Sequence, residues 1–304
     1  KFHLALPSIE IISRGKKCTP SIKQGAAQRV QQRDQRHSRA AVSTNCAVVA
    51  AAPETLYDIP VSNHGARVRM LIYAKNLEDV VPVKSPQELG GIKSEEFLKL
   101  NPLGKMPILT LPDGTALPES TVILRYLDEK YSEPQHPSLN PTQIEARARS
   151  DLFAQVIDSY FTPIQGCMYR GPMDAATRAE QVKSMTTYLD VLEHLLSDKQ
   201  APFSKESVGP FCAGTTPSLG DVVAYPTLAF AAWILPKQFE WNDIFQSRPG
   251  LRRWWEAMND WEPASRVKSE IEGALQEWDD SGRWQRVGIQ EQVTLLDRFI
   301  WSYS

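Results

Sequence analysis

The sequence predicts an α/β unit over residues 54–132 followed by an all-helical unit over residues 142–280. Three observations carry that prediction. Between Leu56 and Tyr131, short apolar runs alternate with amphipathic stretches in the order βαβα and then ββα. Pro134, Pro137 and Pro141 then block helix continuation and mark a linker over 133–141. Beyond the linker, apolar residues recur at helical spacing.

Composition sets the outer bounds. The chain has 304 residues, 42% hydrophobic and 23% charged, with a net charge of −2. That length accommodates two domains of ordinary size. The balanced charge argues against nucleic acid as the main partner. No run of about 18 or more apolar residues occurs, so no membrane span is expected. Cys18, Cys46, Cys167 and Cys212 are scattered without a C-x-x-C pair. Dithiol redox chemistry and zinc ligation are therefore not expected, nor is any other metal, and free thiols in a reducing compartment are the default.

Residues 1–53 read differently. Lys1, Arg14, Lys16, Lys17, Lys23, Arg29, Arg33, Arg36 and Arg39 face only Glu10 and Asp34. A basic, acid-poor segment with recurring serines is the signature of a transit peptide, which implies a plastid or a mitochondrion. The plainer reading is a disordered extension on a cytoplasmic protein.

The globular part begins with a strand at Leu56–Ile59 and a polar loop, Pro60-Val61-Ser62-Asn63-His64-Gly65. A helix over about Ala66–Lys75 buries Val68, Leu71 and Ile72. A second strand is expected at Val80–Val83 and a short helix at Ser94–Leu100. The stretch NPLGKMPILTLPDGTALPES (Asn101–Ser120) then predicts a hairpin: strand Ile108–Leu111, a Pro112-Asp113-Gly114 turn, and strand Thr115–Leu117. Pro118-Glu119-Ser120 opens a helix that carries Val122, Ile123, Tyr126 and Leu127 on one face. In the second unit, Thr142–Gln165 and Asp174–Leu196 form a helical hairpin, and Ser197–Thr216 is a loop. Ser218 and Asp221 cap a nearly continuous apolar helix, Val222–Trp233, as a capping box with Asp in place of Glu. Further helices are expected at Pro249–Trp255 and Ser265–Trp278. The tail 281–304 carries an apolar group with no assignment.

Chemistry concentrates at both ends of the hairpin. A proline at a strand mouth, Pro107, suits a cis bond that aims the Met106 main chain outward, where an extended peptide can pair with it. Glu119 and Ser120 place a carboxylate and free backbone N–H groups at a helix start, a seat for a ligand's ammonium and carboxylate ends. The plainer reading is a β-hairpin with a serine N-cap.

NPLGKMP, the DG turn and LPES followed by a YL-containing helix together resemble the soluble glutathione transferases. The resemblance extends from Leu56 to about Glu262 and includes the S-x-x-D cap at Ser218. It implies a thioredoxin-like N-terminal domain that binds glutathione as co-substrate, and a helical C-terminal domain. It implies that Ser62 activates the thiol, as in the serine-type classes (zeta, phi and theta), with Asn63 and His64 as possible assistants and Tyr57 as the competing hydroxyl. Met106, Pro107, Lys93, Lys105, Glu119 and Ser120 are the implied glutathione contacts. Tyr160, Phe161, Met168, Tyr169 and Trp233 are the candidates for the wall of the electrophile pocket. The loop has no cysteine, unlike the omega and dehydroascorbate-reducing types. It reads Ser62-Asn63-His64 where the zeta class usually has Ser-Ser-Cys. A homodimer is implied. The alternatives are a non-catalytic carrier or assembly module on the same fold, and a glutathione-dependent isomerase or lyase.

Overall fold

A computed structural model describes residues 53–197 and 209–294. The expected leader-like segment, the tip of the 197–216 loop and the end of the tail lie outside the described residues. The first unit holds β1 (Thr55–Tyr57), α1 (Asn63–Ala74), β2 (Val83–Lys84), α2 (Glu95–Leu100), β3 (Ile108–Thr110), β4 (Ala116–Pro118) and α3 (Ser120–Lys130). The sheet order is β2-β1-β3-β4. β1 runs parallel to β2, and β3 runs antiparallel to both β1 and β4. This is the expected thioredoxin-like arrangement.

Two boundaries differ from expectation, each for a local reason. The second strand is shorter and later than 80–83, because the Val80 and Val81 N–H groups turn back onto the Leu77 carbonyl. Helix α1 starts three residues early, because Ser62 caps it by accepting the Gly65 N–H at 3.0 Å. The tight first turn needs glycine at 65, since a Cβ there would fall on the Asp58 carboxylate.

The linker is organised around one buried cation. Lys75, at the end of α1, pairs with Asp128 of α3 at 3.0 Å and donates to the Tyr131, His136 and Pro137 carbonyls. Asp128 in turn accepts the Leu139 N–H. Both side chains are buried, and their remaining hydrogen-bonding capacity is met by the linker itself, which makes a buried pair tolerable.

The second unit contains α4 (Ile144–Val156), α5 (Thr162–Ile164), α6 (Ala175–Ser197), α7 (Leu219–Phe239), α8 (Pro249–Asp260), α9 (Glu262–Asp280), α10 (Arg283–Arg286) and α11 (Ile289–Val293). The helix expected over 142–165 is interrupted. Residues Ile157–Phe161 widen into a π-turn, in which the Thr162 N–H reaches the Ile157 carbonyl. Pro163 explains this, since it has no N–H for the regular ladder and its ring clashes with the carbonyl four residues back. Helix α7 is long and apolar enough to cross a membrane, but most of it is buried inside the protein, packed against α1, α4 and α9. Its buried Asp221 accepts from the Ser218 N–H and Oγ, the Cys212 N–H and Trp254 Nε1, all between 2.7 and 2.9 Å. Residues 281–294 dock on the body. Trp284 is fully buried and donates to the Met168 carbonyl, while Arg178 and the Met173 carbonyl hold Gln292.

Candidate functional site

The site is assembled where the N-terminal ends of α1 and α3 meet the mouth of β3. Ser62 is half-buried. Its Oγ takes the Gly65 N–H, and its own proton has no acceptor among the described residues. Tyr57, the competing hydroxyl, lies within β1. Asn63 faces inward: its amide donates to Gln165 at 2.7 Å and reaches Thr227 at 3.4 Å. This fixes the loop against the helical unit and leaves the Asn63 side chain no free donor for a sulfur. The His64 ring instead faces Ser120, with Nδ1 3.5 Å from its Oγ. Burial, with Arg67, Lys105 and Arg170 nearby, pushes the imidazole down to about 4, against the opposing pull of Asp158. His64 is therefore neutral at physiological pH.

The Met106-Pro107 bond is cis. No hydrogen bond reaches the Met106 main chain among the described residues, whereas Pro107 is buried beneath it. The preceding loop is shaped by Asn101, which donates to the Lys105 carbonyl and accepts the Leu103 N–H. Lys105 and Lys93 are exposed and have no ion-pair partner among the described residues.

The start of α3 corrects the plainer reading of a serine N-cap. Glu119, not Ser120, holds the cap position, and no side chain satisfies the first N–H groups. Glu119 has φ 71° and ψ 111°, a conformation that residues with a Cβ rarely adopt and that tends to persist at ligand-binding sites. Its carboxylate is exposed. Ser120 is buried, with Arg67 Nη1 at 3.5 Å. Arg67 is itself buried and pairs with Asp158 at 2.8 Å. Open N–H groups beside a free carboxylate can hold both ends of a zwitterion.

The five residues expected in the electrophile pocket do not come together. Phe161 and Met168 have no exposure and belong to the core, a correction. Tyr160 is 53% exposed and pairs with Tyr188 on the outer surface. Trp233 packs at a tilt against Trp284 and carries Lys237 over its ring. Tyr169 alone lies beside an open cleft, through its contact with Trp278. That cleft, about 470 Å³, is walled by Ile59, Pro60 and Val61 just before Ser62, and by Gly273, Ala274 and Trp278 of α9. The α9 residues escaped the sequence reading because a helix at the end of the chain gives no sign of which face it turns to the loop. Arg67 and Thr227 were detectable as polar residues inside apolar helical patterns.

Residues 56–135 match the family model for the glutathione S-transferase N-terminal domain, and residues 175–257 match that for the C-terminal domain. Glutathione S-transferase 3 of Zea mays is 29% identical over 68% of this chain and 89% of its own. Maleylacetoacetate isomerase of Rattus norvegicus is 28% identical over 60% of this chain and 79% of its own. A crystal structure of a Ser-to-Cys variant of poplar glutathione transferase F1 is 25% identical with a TM-score of 0.59, and covers 73% of this chain and 100% of its own. The fold defines a protein of a thioredoxin-like half followed by a helical half. The chain belongs to the glutathione S-transferase family.

Proposed function

We propose that this protein is a glutathione transferase in which Ser62 stabilises the glutathione thiolate for attack on a carbon electrophile. The observation that carries this reading is the unclaimed Ser62 proton at the N-terminus of α1. An ordinary thiol titrates near about 8.5, and lowering it by about two units requires roughly 2.7 kcal/mol of preferential stabilisation of the anion. A hydroxyl donor beside a helix N-terminus supplies a charge-assisted hydrogen bond and a favourable dipole. The Gly65 N–H polarises the same hydroxyl and makes it a better donor.

In this reading the Met106 main chain pairs with the peptide of glutathione. Glu119 takes the ammonium group, the open N–H groups of α3 take the γ-glutamyl carboxylate, and Lys93 and Lys105 approach the glycyl end. The thiol proton leaves to solvent, a C–S bond forms, and the leaving group departs with its electron pair. Reduction of an organic peroxide uses the same thiolate: it attacks a peroxide oxygen, the O–O bond breaks and the alcohol leaves, and a second glutathione converts the resulting sulfenic acid to the disulfide and water. The expected assembly is a two-fold homodimer, and residues 1–53 address the chain to an organelle.

Replacing Ser62 with Ala tests the mechanism. Turnover of a chromogenic halo-nitroaromatic is expected to fall while glutathione affinity is nearly retained. An unchanged rate removes Ser62 from the reaction. A second reading, a glutathione-dependent isomerase, is favoured by the similarity to the rat isomerase. The Asn63-His64 pair, in place of Ser-Cys, weighs against it. Turnover of a cis-unsaturated diketo acid that depends on glutathione without consuming it would decide for the isomerase.

A further inference from the structure

Two arginines lie over the rings of Trp278, which lines the cleft, and of Tyr169 beside it, with a third close in sequence and no carboxylate paired to any of them among the described residues. Arg283 lies 4.0 Å over the Trp278 ring, and Arg170 lies 5.5 Å over Tyr169, the ring that touches Trp278. Arg286 stands behind them, donating to the Ser281 carbonyl. Among the described residues, none of the three has an ion-pair partner, and the buried Arg283 Nε has no hydrogen-bond partner at all. The cations act on one another: burial, Arg286 and Arg170 all push Arg283 down, and only Tyr169 opposes them. The carboxylates of the cleft do not relieve this. Glu270 is taken by Arg69 and Tyr73, and Glu277 sits on the exposed edge beyond ion-pair distance.

The arrangement is built, not incidental. The Arg170 carbonyl and that of Cys167 are held by the buried Arg178 of α6. The next residue, Gly171, lets the tail approach so closely that a Cβ there would lie 2.7 Å from the Val287 carbonyl. Arg178 also binds Gln292 of the same tail. The segment 281–294 is thus fixed where it carries Arg283 to the face of Trp278.

A clustered, unpaired, partly desolvated set of guanidinium groups is a receptor for an anion, and their planar N–H forks match a carboxylate. Trp278, which lines the cleft, matches a planar apolar body. Resting on the transferase reading of the same site, we propose that Arg170 and Arg283 form an anion subsite beside Trp278 of the cleft wall, and that the electrophile is a planar aromatic or unsaturated carboxylate.

The test uses the full chain and two glutathione conjugates of one nitroaryl ring, identical except that one bears a ring carboxylate and the other the carboxamide. Calorimetric titration is expected to show the carboxylate conjugate bound roughly 10-fold tighter, the size of one charge-assisted hydrogen bond at about 1.4 kcal/mol per tenfold. Arg283→Met is expected to bring the ratio to within about 2-fold, with Arg283→Lys retaining part of it, since a point charge replaces a fork. Arg170 is exposed, so Arg170→Met reads the same ratio without disturbing the core and is expected to lower it. Equal affinity for the two conjugates in the unaltered protein overturns the subsite, and so does failure to bind either. A preference that survives in the Arg170→Met/Arg283→Met double variant also overturns it. Turnover of a neutral halo-nitroaromatic is measured separately: its absence defeats the transferase reading while the affinity ratio still reports on the arginines.

Discussion

Two helices of this chain open on a serine, and their surroundings separate a folding device from a chemical one. Ser218, before α7, is buried and gives its proton to Asp221, whose carboxylate also gathers the Cys212 N–H and the Trp254 indole. Every group at that corner is satisfied. Ser62, before α1, accepts the Gly65 N–H in the same capping role but is half-open to solvent, and its proton has no acceptor among the described residues. A saturated polar cluster in a low-dielectric setting is rigid and has nothing left to offer a ligand. A cap that uses only a lone pair retains a donor. The same residue type at the same helical position is thus structural or reactive according to what its second hydrogen-bonding site meets.

The contrast is broken most severely at Asp221. Asp221→Ala leaves the Ser218 and Cys212 N–H groups and the Trp254 indole buried without an acceptor, and the expected loss of stability is about 3–5 kcal/mol. Urea denaturation followed by tryptophan fluorescence measures it. Asp221→Asn should lose less, because the oxygen shared by Cys212 and Trp254 is kept while the one facing Ser218 becomes an amide. A loss below about 1 kcal/mol in the alanine variant would mean that water enters this corner and that the two caps are more alike than their burial implies.

At the other cap the expected effects are reversed. Ser62→Ala removes one exposed-side cap and should lower stability by about 1 kcal/mol. On the proposed mechanism, the bound thiolate should lose more. A return of the bound thiol by about two units, from about 6.5 to about 8.5, corresponds to a roughly 25-fold smaller thiolate fraction at pH of about 7. Absorbance titration of the bound thiol, beside kcat for a halo-nitroaromatic, reads both quantities. Ser62→Thr keeps the hydroxyl and should restore most of the rate. If Ser62→Ala and Ser218→Ala both weakened folding and left the thiol titration alone, the distinction between the caps would collapse.

Much of this was legible in the chain because the signals are local. The Ser218-x-x-Asp221 spacing, the Met106-Pro107 step at a strand mouth, and the DG turn each specify backbone geometry within a few residues, and all three appear in the fold. The N-terminal boundary of α1 was missed by three residues because the loop Ser62-Asn63-His64 has no apolar periodicity to announce a helix. The electrophile wall was missed for a different reason. Whether Phe161, Met168 or Trp278 faces the cleft depends on the π-turn at Ile157–Phe161, which rotates everything after it, and on how α9 lies across the β1–α1 loop. Both are tertiary facts. Arg283 was beyond reach altogether, because the family resemblance fades past Glu262 and nothing local marks where the tail docks.

The gentlest test concerns how dry the Ser62 end is. His64 lies beside Ser120, and burial with Arg67, Lys105 and Arg170 holds its imidazole at about 4, below the ordinary value of 6.5, with Asp158 pulling the other way. In the unfolded chain the same imidazole gains a proton near about 6.5. Between these values the unfolded state binds more protons than the folded one, so stability falls as pH drops from about 6.5 to about 4 and the contribution levels off below that. Above about 6.5 the imidazole is neutral in both states and contributes no slope. His64→Gln cannot titrate, so its unfolding free energy should decline less steeply than that of the unaltered protein across the same window. The other carboxylates cancel in the difference. Urea unfolding at four or so pH values between neutrality and 4.5 gives that difference directly. A difference that stays flat would place water against His64 and make the Ser62 cap more open than the structure draws it. A difference that grows toward acid would show the Ser62 corner to be dry enough to keep its histidine neutral, so that, on the proposed mechanism, a low-pH loss of turnover reports the thiol and not the imidazole.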